Sequence, residues 1–390
     1  MLTFDNTEIA FGSKTNGDLR RAYILFRLVG NPRLVRFGKW FTDFCFRYRI
    51  PIRGMVKKTI FKQFCGGETI KECDHAIKQL GDFGIGTILD YSVEGKTSEA
   101  DFDATVNEII DTIHRAAHDK HVPFAVFKVT GIGRFGVLES ANEGLDALNE
   151  QELSDLTIVS DRIQRICQAA YDAQVPLFID AEETWIQDTI DTIVLNMMRM
   201  FNKEKAIVFN TVQMYRHDRL EFVRTHLALA KKEQLHYGIK LVRGAYMEKE
   251  RERAEKKGYE SPIQPNKSKC DSDFNTAVEL ILENISHAAL CSGSHNENSA
   301  HVLANTMEKL GIDKSDKRVW CAQLLGMSDH ISYNMAHAGY NVAKYVPYGP
   351  VKEVMPYLIR RANENTSVAG QTGRELSLLI KERNRRKHAK

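Results

Sequence analysis

Two arginines, Arg360 and Arg361, stand side by side in the segment Tyr-Leu-Ile-Arg-Arg-Ala-Asn-Glu-Asn. Apolar residues at helical spacing predict a helix here, and both arginines share one broad face of it with Tyr357 and Glu364. A guanidinium keeps its charge and presents a planar fork of donors, so two of them beside a phenol suit the binding of a small carboxylate. The alternative is a solvated basic face that Glu364 neutralises, because paired arginines are common on helix surfaces.

A second charged group, Lys128, ends an apolar run that predicts a buried strand. A buried ammonium group needs an anionic partner, and Asp180 at the end of the next such run is the predicted one. The pair is either a structural ion pair or part of a site for a charged ligand. A lysine in this position can also form a Schiff base with a carbonyl substrate, so a lyase or aldolase stays open as an alternative function.

The remaining polar motifs favour neither a metal site nor a dinucleotide fingerprint. His295, Asn296 and Gln323 lack the paired spacing of metal ligands, and we interpret them as hydrogen-bonding groups for a cofactor. The segment Gly-Ile-Gly-Arg-Phe-Gly (131–136) matches G-x-G-x-x-G, but the residues after it make a poor helix opening. We therefore expect a flexible loop at 131–136.

The elements that must position these groups alternate along the chain after residue 84. Eight short β-prone runs are separated by intervals long enough for helical crossovers, and helical periodicity is clear in five of these intervals. Most runs are almost wholly apolar, as expected for parallel strands covered on both faces. Eight such units predict a distorted (β/α)8 TIM-like barrel, with an open doubly wound sheet as the alternative. The runs are 87–91, 124–129, 176–179, 206–212, 238–242, 287–291, 318–323 and 341–346.

Polar residues follow all eight predicted strands, where the chemistry of a (β/α)8 enzyme is located. Water-exposed loops explain any one of these residues, but a polar group at every strand end indicates a functional rim. They are Asp90, Ser92, Lys128, Thr130, Asp180, Glu182, Gln213, Tyr215, Arg243, Tyr246, Ser294, His295, Gln323 and Tyr345.

The chain contains 54 basic and 51 acidic residues, so no strong overall field selects a nucleic acid. Between Arg20 and Lys62, however, twelve basic residues and one acidic residue are mixed with many aromatics. This composition predicts either an anionic membrane surface as partner or a helical arm packed on the main domain. A catalytically idle barrel bound to a membrane surface through 20–62 is a third functional hypothesis.

Seven scattered cysteines without a C-x-x-C pair are typical of a reducing compartment. The sequence shows neither a signal core nor an apolar run of membrane-spanning length, so we predict a cytoplasmic protein, soluble or peripheral on the inner face of a membrane. We divide the chain into a helical arm (1–80), a catalytic barrel (81–375) and a basic C-terminal tail (376–390), whose end from Lys381 we expect to be solvated.

Nine motifs between about residues 80 and 370 together resemble the proline dehydrogenase family, in the branch that includes the eukaryotic enzymes. As a set and in this order they are highly specific. They are Asp-Tyr-Ser-Val-Glu (90–94), Phe-Lys-Val-Thr (127–130), Ile-Asp-Ala-Glu-Glu-Thr (179–184), Asn-Thr-Val-Gln-Met-Tyr (210–215), Lys-Leu-Val-Arg-Gly-Ala-Tyr-Met-Glu-Lys-Glu (240–250), Ser-His-Asn-Glu (294–297), Gln-Leu-Leu-Gly-Met (323–327), Tyr-Val-Pro-Tyr-Gly-Pro (345–350) and Pro-Tyr-Leu-Ile-Arg-Arg-Ala-Asn-Glu-Asn (356–365).

The resemblance implies FAD-dependent oxidation of L-proline to Δ1-pyrroline-5-carboxylate, with hydride transfer from C5 to flavin N5 and electrons passed to a membrane quinone. It implies that Arg360, Arg361 and Lys128 bind the proline carboxylate, and that Asp180 orients Lys128. It also implies that Leu241, Tyr246, Tyr345 and Tyr357 pack on the proline ring. The implied flavin-contacting residues are Ala181, Val212, Gln213, Lys240, Arg243, Gly244, Ala245, Ser294, His295 and Gln323.

Two positions bear on the details of this reaction. Many bacterial members of the family carry arginine near flavin N5 where this chain has Lys240, which keeps the charge but loses the fork. Relatives that act on hydroxyproline have a smaller residue at the position of Tyr345. The tyrosine favours proline, with hydroxyproline dehydrogenase as the alternative.

Overall fold

The computed structural model describes residues 2–48, 51–93, 97–367 and 371–388. Eight strands close into a barrel in chain order, which confirms the predicted (β/α)8 architecture over an open sheet. Each strand overlaps one of the eight predicted runs. The strands are β1 (Ile85–Tyr91), β2 (Phe124–Lys128), β3 (Leu177–Asp180), β4 (Val208–Gln213), β5 (Tyr237–Val242), β6 (Ala288–Gly293), β7 (Val319–Leu324) and β8 (Val342–Tyr348).

Helices precede the first strand, connect the strands and follow the last one. The helices before β1 are α1 (Thr7–Ala10), α2 (Asn16–Val29), α3 (Pro32–Arg47), α4 (Arg53–Val56), a π-helical stretch (Lys57–Phe61), α5 (Lys62–Phe64) and α6 (Asp74–Gly81). Those between strands are α7 (Glu99–His118), α8 (Phe135–Glu143), α9 (Glu150–Asp172), α10 (Thr184–Phe201), α11 (Arg219–Glu233), α12 (Met247–Lys257), α13 (Lys267–Glu283), α14 (Glu297–Lys309) and α15 (Asp329–His337). After β8 come α16 (Met355–Ser367) and α17 (Gln371–His388).

By packing, the chain divides into two compact units. The first unit comprises Gly95–Ala322 and Gly339–Ala343, and the second unit comprises Met1–Glu94, Gln323–Ala338 and Lys344–Lys390. The boundaries predicted at residues 80 and 375 remain predictions, and these units divide the chain elsewhere.

In the first unit, three buried rings form an aromatic layer across neighbouring strands. Phe124 stacks on Phe178 at 4.4 Å between ring centroids, and Phe209 meets Phe178 edge-on at 5.3 Å. Gly238, the register partner of Phe209, leaves room for this layer, because a Cβ there would lie 2.6 Å from the Phe209 ring. Since side chains alternate along a strand, Asp180 lies on the same face as Phe178, directly above the layer.

The segment 131–136, which we expected to be a flexible loop, is irregular only at residues 132–134, and its last two residues already belong to α8. A 3-10 turn, Val129–Gly131, leads within a few residues into α8, whose Val137, Leu138 and Ala141 are buried. A Cβ on Gly133 would lie 2.4 Å from Val159, so the glycine is required by close packing. The apolar residues at helical spacing outweigh the weak local propensity on which our expectation rested.

In the second unit, the predicted C-terminal tail begins inside a packed helix. Residues 376–388 form most of α17, in which Leu378 and Leu379 are buried with Phe11, Leu19 and Phe26 of the N-terminal segment. From Lys381 to His388 most side chains are exposed, apart from the buried Glu382. Among the described residues, none of the helices combines the length and the hydropathy needed to cross a membrane.

Candidate active site

The first unit contains a buried ion pair at the ends of two strands. Lys240 of β5 is 4% exposed, and its Nζ pairs with Asp180 Oδ1 at the end of β3. The ammonium group also lies 5.4 Å above the ring of Phe178. A charge held this far from water is strongly destabilised when its partner is removed, so the pair is a fixed electrostatic element.

Lys128, the partner that the sequence predicted for Asp180, lies directly beside it in the register of β2 and β3. The ion pair that the structure shows on this carboxylate is with Lys240, which we had not paired with Asp180. This pairing depends on strand register: Lys240 is the register partner of Thr211 on β4, and β4 is the strand next to β3, which carries Asp180. One sequence does not show which residues of neighbouring strands lie beside each other.

Glu182 is a buried carboxylate that the sequence left without a role. It accepts hydrogen bonds from the backbone N–H of Thr130 at 2.9 Å and from the Thr130 hydroxyl, so it ties the end of β3 to the turn after Lys128. Burial raises the pKa of Glu182 to about 7, although the Thr130 bonds and the charge of Lys128 act in the opposite direction. Glu182 therefore titrates near neutral pH.

Several predicted flavin-contacting residues come together at the ends of β4 and β5. Val212 and Leu241 are register neighbours and are buried, and Gln213 follows at the last position of β4. The Oε1 atom of Gln213 is buried and accepts no hydrogen bond from the described part of the chain. An orphaned buried acceptor is costly, and a ligand N–H would satisfy it.

Arg243, just after β5, is held by three oxygen partners. Its Nε and Nη atoms donate to Asp271 at 2.6 Å, to Ser294 at 2.7 Å and to Ser299 at 2.9 Å. Its guanidinium also lies 4.4 Å from the ring centre of Phe274. Ser294 was predicted, whereas Ser299, in the first turn of α14, was missed because nothing in its sequence context distinguishes it from a surface serine.

The turn after Arg243 brings exposed backbone to the same strand end. Gly244 has φ of 130°, and a Cβ there would lie 2.6 Å from the ring of Tyr215, so this position requires glycine. Ala245 is exposed, and Tyr246 is half-buried at the start of α12. Ala181 is buried next to Asp180, and the half-buried His295 follows Ser294 after β6.

The second unit contains the arginine helix, α16. Arg361 is 8% exposed, and its guanidinium lies 5.3 Å from the ring centre of the buried Tyr357. Arg360 is half-buried. A fully solvated basic face, our alternative for this segment, is therefore wrong for Arg361, while the side chain of Glu364 lies outside the described part of the chain.

A carboxylate holds the segment that leads into this helix. Glu68 accepts hydrogen bonds from the backbone N–H of Val351 at 3.2 Å and from the side chains of Lys57 and Arg53 at 2.7 and 2.8 Å. Burial alone raises the pKa of Glu68, but these bonds outweigh it and lower the pKa to about 2. Val354 and Leu358 are buried on the same side of the segment, so apolar packing and charge together fix the start of α16.

Two further predicted site residues lie on the last strands. Tyr345 of β8 is 7% exposed, and Gln323 of β7 is buried and accepts a hydrogen bond from the Ser332 hydroxyl at 2.8 Å. Within the described ranges, the structure brings no three His, Cys, Asp or Glu side chains together as a metal site.

Known proteins match this chain along most of its length. The sequence profile of proline dehydrogenase matches residues 73–374. The chain is 32% identical over 426 residues to proline dehydrogenase 1, mitochondrial, of Dictyostelium discoideum, covering 98% of this chain and 74% of that protein. It is 30% identical over 412 residues to hydroxyproline dehydrogenase of Xenopus laevis, covering 96% of this chain and 88% of that protein.

Among solved structures, proline utilization A from Bdellovibrio bacteriovorus matches with a TM-score of 0.74 and 20% identity, covering 95% of this chain and 40% of that chain. At this identity the likeness shows the fold alone. The chain spans 54% and 40% of the length of two further curated relatives. The profile match and the Dictyostelium relative confirm the resemblance seen in the motifs: the chain belongs to the proline dehydrogenase family, a family of oxidoreductases.

Proposed function

We propose that this protein oxidises L-proline to Δ1-pyrroline-5-carboxylate with FAD as its cofactor. The observation that carries the proposal is the low exposure of Arg361 beside the Tyr357 ring. A permanent cation held largely out of water interacts strongly with an anion, and the neighbouring phenol offers an apolar surface to a small ring. An amino acid with an apolar ring fits this combination of contacts.

The residues at the strand ends of the first unit suit FAD. Gln213 offers a buried acceptor for a ring N–H, and Arg243, which Ser294 and Ser299 hold in place, offers N–H donors for an anionic group. The exposed backbone at Gly244 permits close approach of a ligand. When bound, FAD supplies the hydride acceptor for C5 of proline, chemistry that protein side chains lack.

The protein's own side chains bind the substrate, orient its ring and supply fixed charge. Under this proposal, Arg360, Arg361 and Lys128 bind the substrate carboxylate, so that the ring takes one orientation. Lys240 presents a fixed positive charge, and Asp180 holds its ammonium group in place. The resemblance assigns Leu241, Tyr345 and Tyr357 to the proline ring, and apolar contacts around a ligand strengthen its charge interactions.

Proline is the proposed substrate in preference to hydroxyproline, because the buried Tyr345 leaves less space than a smaller residue would. Similarity alone does not separate the two, since the chain is also similar to a hydroxyproline dehydrogenase. Single-turnover oxidation of proline and of proline deuterated at C5, together with steady-state turnover of proline and hydroxyproline, tests the proposal. We expect C5 deuteration to slow single-turnover oxidation and hydroxyproline to be the poorer substrate. An absence of proline turnover by FAD-loaded protein would refute the proposed function.

We also propose that the electron acceptor is a membrane quinone, reached through the N-terminal helices. Support comes from an aromatic ridge on α3 and the residue after it (Phe37, Trp40, Phe41, Phe44 and Tyr48), in which the centroids of rings three or four residues apart lie 4.6 to 6.3 Å from each other. Phe37, Trp40 and Tyr48 are each 60% exposed or more. Clustered exposed aromatics among basic residues are typical of helices that lie at a lipid interface.

Flotation with vesicles tests this contact. We expect Phe37→Ala combined with Trp40→Ala to reduce binding to anionic vesicles, and to reduce quinone-linked turnover more than dye-linked turnover. Leu145→Ala, which removes a 64%-exposed side chain in the other unit, is the control. Equal loss of both turnover rates would show that the ridge has only a structural role. A cytoplasmic location with peripheral membrane contact remains a prediction.

A further inference from the structure

Helix α12, which follows the turn of Arg243 to Tyr246, carries one carboxylate that is out of contact with water. Most of its charged side chains are exposed, but Glu250 is 0% exposed. Its Oε1 accepts the backbone N–H of Thr184 at 2.8 Å, and its Oε2 accepts the Thr184 hydroxyl at 2.7 Å. Both carboxylate oxygens of the buried Glu250 thus accept hydrogen bonds from one residue, Thr184, which belongs to another helix.

Thr184 is the first residue of α10, an 18-residue helix. The first N–H groups of a helix have no partner within it and carry partial positive charge, so they are usually capped by a local side chain. The N-cap residue Glu183 makes no such bond. Glu250 therefore caps α10 from outside, which links α12 to the start of α10.

Two neighbouring side chains of α12 reinforce this link. Lys249 forms an ion pair with Glu183, the residue before Thr184. One turn further along α12, Arg253 lies 4.3 Å from the ring centre of Trp185. Contacts at three positions of α12 therefore meet three consecutive residues, Glu183, Thr184 and Trp185.

Each of the two linked helices follows on a segment that contains predicted flavin-contacting residues. The segment before α10 contains Ala181, and the segment before α12 contains Arg243, Gly244 and Ala245. The second segment has little freedom on its other side, where Gly244 packs against Tyr215. A group that fixes the distance between these two segments therefore fixes the width of the proposed FAD site.

We propose that Glu250 is a positioning residue, which sets the spacing of the two cofactor-binding segments through its bonds to Thr184. The inference rests on the proposed function. Glu250 has no predicted contact with FAD or proline, and it acts through the placement of α12. Sites held by such supporting bonds bind their ligands in one geometry and lose affinity when the support is removed.

The charges around Glu250 determine which variants are informative. Burial raises its pKa, the Thr184 bonds and Arg216 act in the opposite direction, and Glu183 adds repulsion. Because Gln keeps the size and one acceptor oxygen, Glu250→Gln retains the bond to the Thr184 N–H. Glu250→Ala removes both bonds, and Thr184→Val removes only the hydroxyl. Glu252→Ala is the control, because Glu252 lies on the same helix and pairs with the exposed Lys256.

The test measures FAD affinity by titration of the FAD-free protein, and amide hydrogen exchange in residues 243–257 before FAD is added. We expect Glu250→Ala to weaken FAD binding about tenfold to a hundredfold, as for loss of a charged hydrogen bond, and to speed exchange in this segment. Glu250→Gln and Thr184→Val should weaken FAD binding by less than Glu250→Ala does, and Glu252→Ala should match the unmodified protein. Adding Thr184→Val to Glu250→Ala should cause no further loss.

Wild-type FAD affinity and unchanged exchange in Glu250→Ala would overturn the inference. If Glu250→Ala does not fold, the same two measurements are made on Glu250→Gln and Thr184→Val. Wild-type FAD affinity and wild-type hydrogen exchange in both variants would then overturn the inference. If the unmodified protein does not bind FAD, the proposed function fails, while hydrogen exchange still reports whether Glu250 fixes residues 243–257.

Discussion

Two charged regions of this protein are built in different ways. The pair of Asp180 and Lys240 is carried by strands, whose hydrogen-bonded register fixes the level of each side chain. Arg361 is carried by a helix, and its position depends on the apolar packing of Val354 and Leu358 and on the bond from Val351 to Glu68. Strand register therefore fixes the Asp180–Lys240 pair rigidly. The position of Arg361 depends on several separate contacts, and each of these can be weakened by a single substitution.

The strand-borne pair should be the more sensitive of the two regions. Replacement of Asp180 by Ala leaves the Lys240 ammonium in a site that is 4% exposed, so we expect a loss of unfolding free energy of about 3–5 kcal/mol. Proline turnover should fall with it. Urea denaturation measures the first effect and steady-state kinetics the second.

The control for Asp180→Ala is the double variant Asp180→Asn with Lys240→Met, which removes both charges. It should recover much of the stability but little of the turnover, because the positive charge is lost. Equal stability of Asp180→Ala and the unmodified protein would show that Lys240 does not depend on this carboxylate.

On the helix, Arg361→Met should raise the KM for proline by about a hundredfold, as expected for the loss of charged hydrogen bonds to a carboxylate. FAD affinity should be unchanged, because no residue of α16 is among those proposed to hold it. Arg383→Met is the matched control, since Arg383 makes a similar contact, 4.3 Å from the Tyr23 ring centre. An unchanged KM in Arg361→Met would place the carboxylate site elsewhere.

The buried Glu182 provides a test by pH. Its pKa rises from an ordinary value of 4.5 to about 7 on folding, so the stability linked to its proton is present below pH 4.5 and is lost as the pH rises past 7. The Glu182→Gln side chain is neutral at every pH. As the pH rises from 5 to 8.5, the unfolding free energy of this variant should therefore increase relative to that of the unmodified protein by about 2 kcal/mol. Thermal unfolding over this range measures the difference, and a gap independent of pH would contradict the raised pKa.

The smallest effect concerns the support of the arginine helix. Glu68→Gln weakens the bonds to Lys57 and Val351, and we expect a stability loss of about 1 kcal/mol at pH 7 with a small rise in the KM for proline. Because folding lowers the pKa of Glu68 to about 2, this contribution is present above pH 4.5 and is lost as the pH falls through 2. The gap between the two proteins should narrow from pH 7 to pH 3. A constant gap would mean that the charge of Glu68 plays no part.

The same contrast separates what the sequence predicts from what it does not. The strand ends follow from short apolar runs that stop at polar residues, so Asp180, Gln213 and Arg243 were placed correctly at strand ends. The partnership of Asp180 with Lys240 depends on register, which no local pattern contains. The contacts of Ser299 were missed for another reason, since nothing in its sequence context distinguishes this helical residue from a surface serine.

Tertiary packing accounts for the remaining differences. In α8, the burial of Val137, Leu138 and Ala141 outweighs a weak helix opening. In α17, Leu378 and Leu379 stand among many charges and are buried because residues of the N-terminal segment cover them. The role of Glu250 had no local signal, because the residue stands among exposed charges on its own helix.

The most direct test of the central claim is the visible absorption spectrum of FAD-loaded protein titrated anaerobically with L-proline. We expect the oxidised flavin absorbance to be lost stoichiometrically, with Δ1-pyrroline-5-carboxylate as the product, and the titration of Arg361→Met to need far more proline. A spectrum that does not change at saturating proline would contradict the claim that this protein oxidises proline.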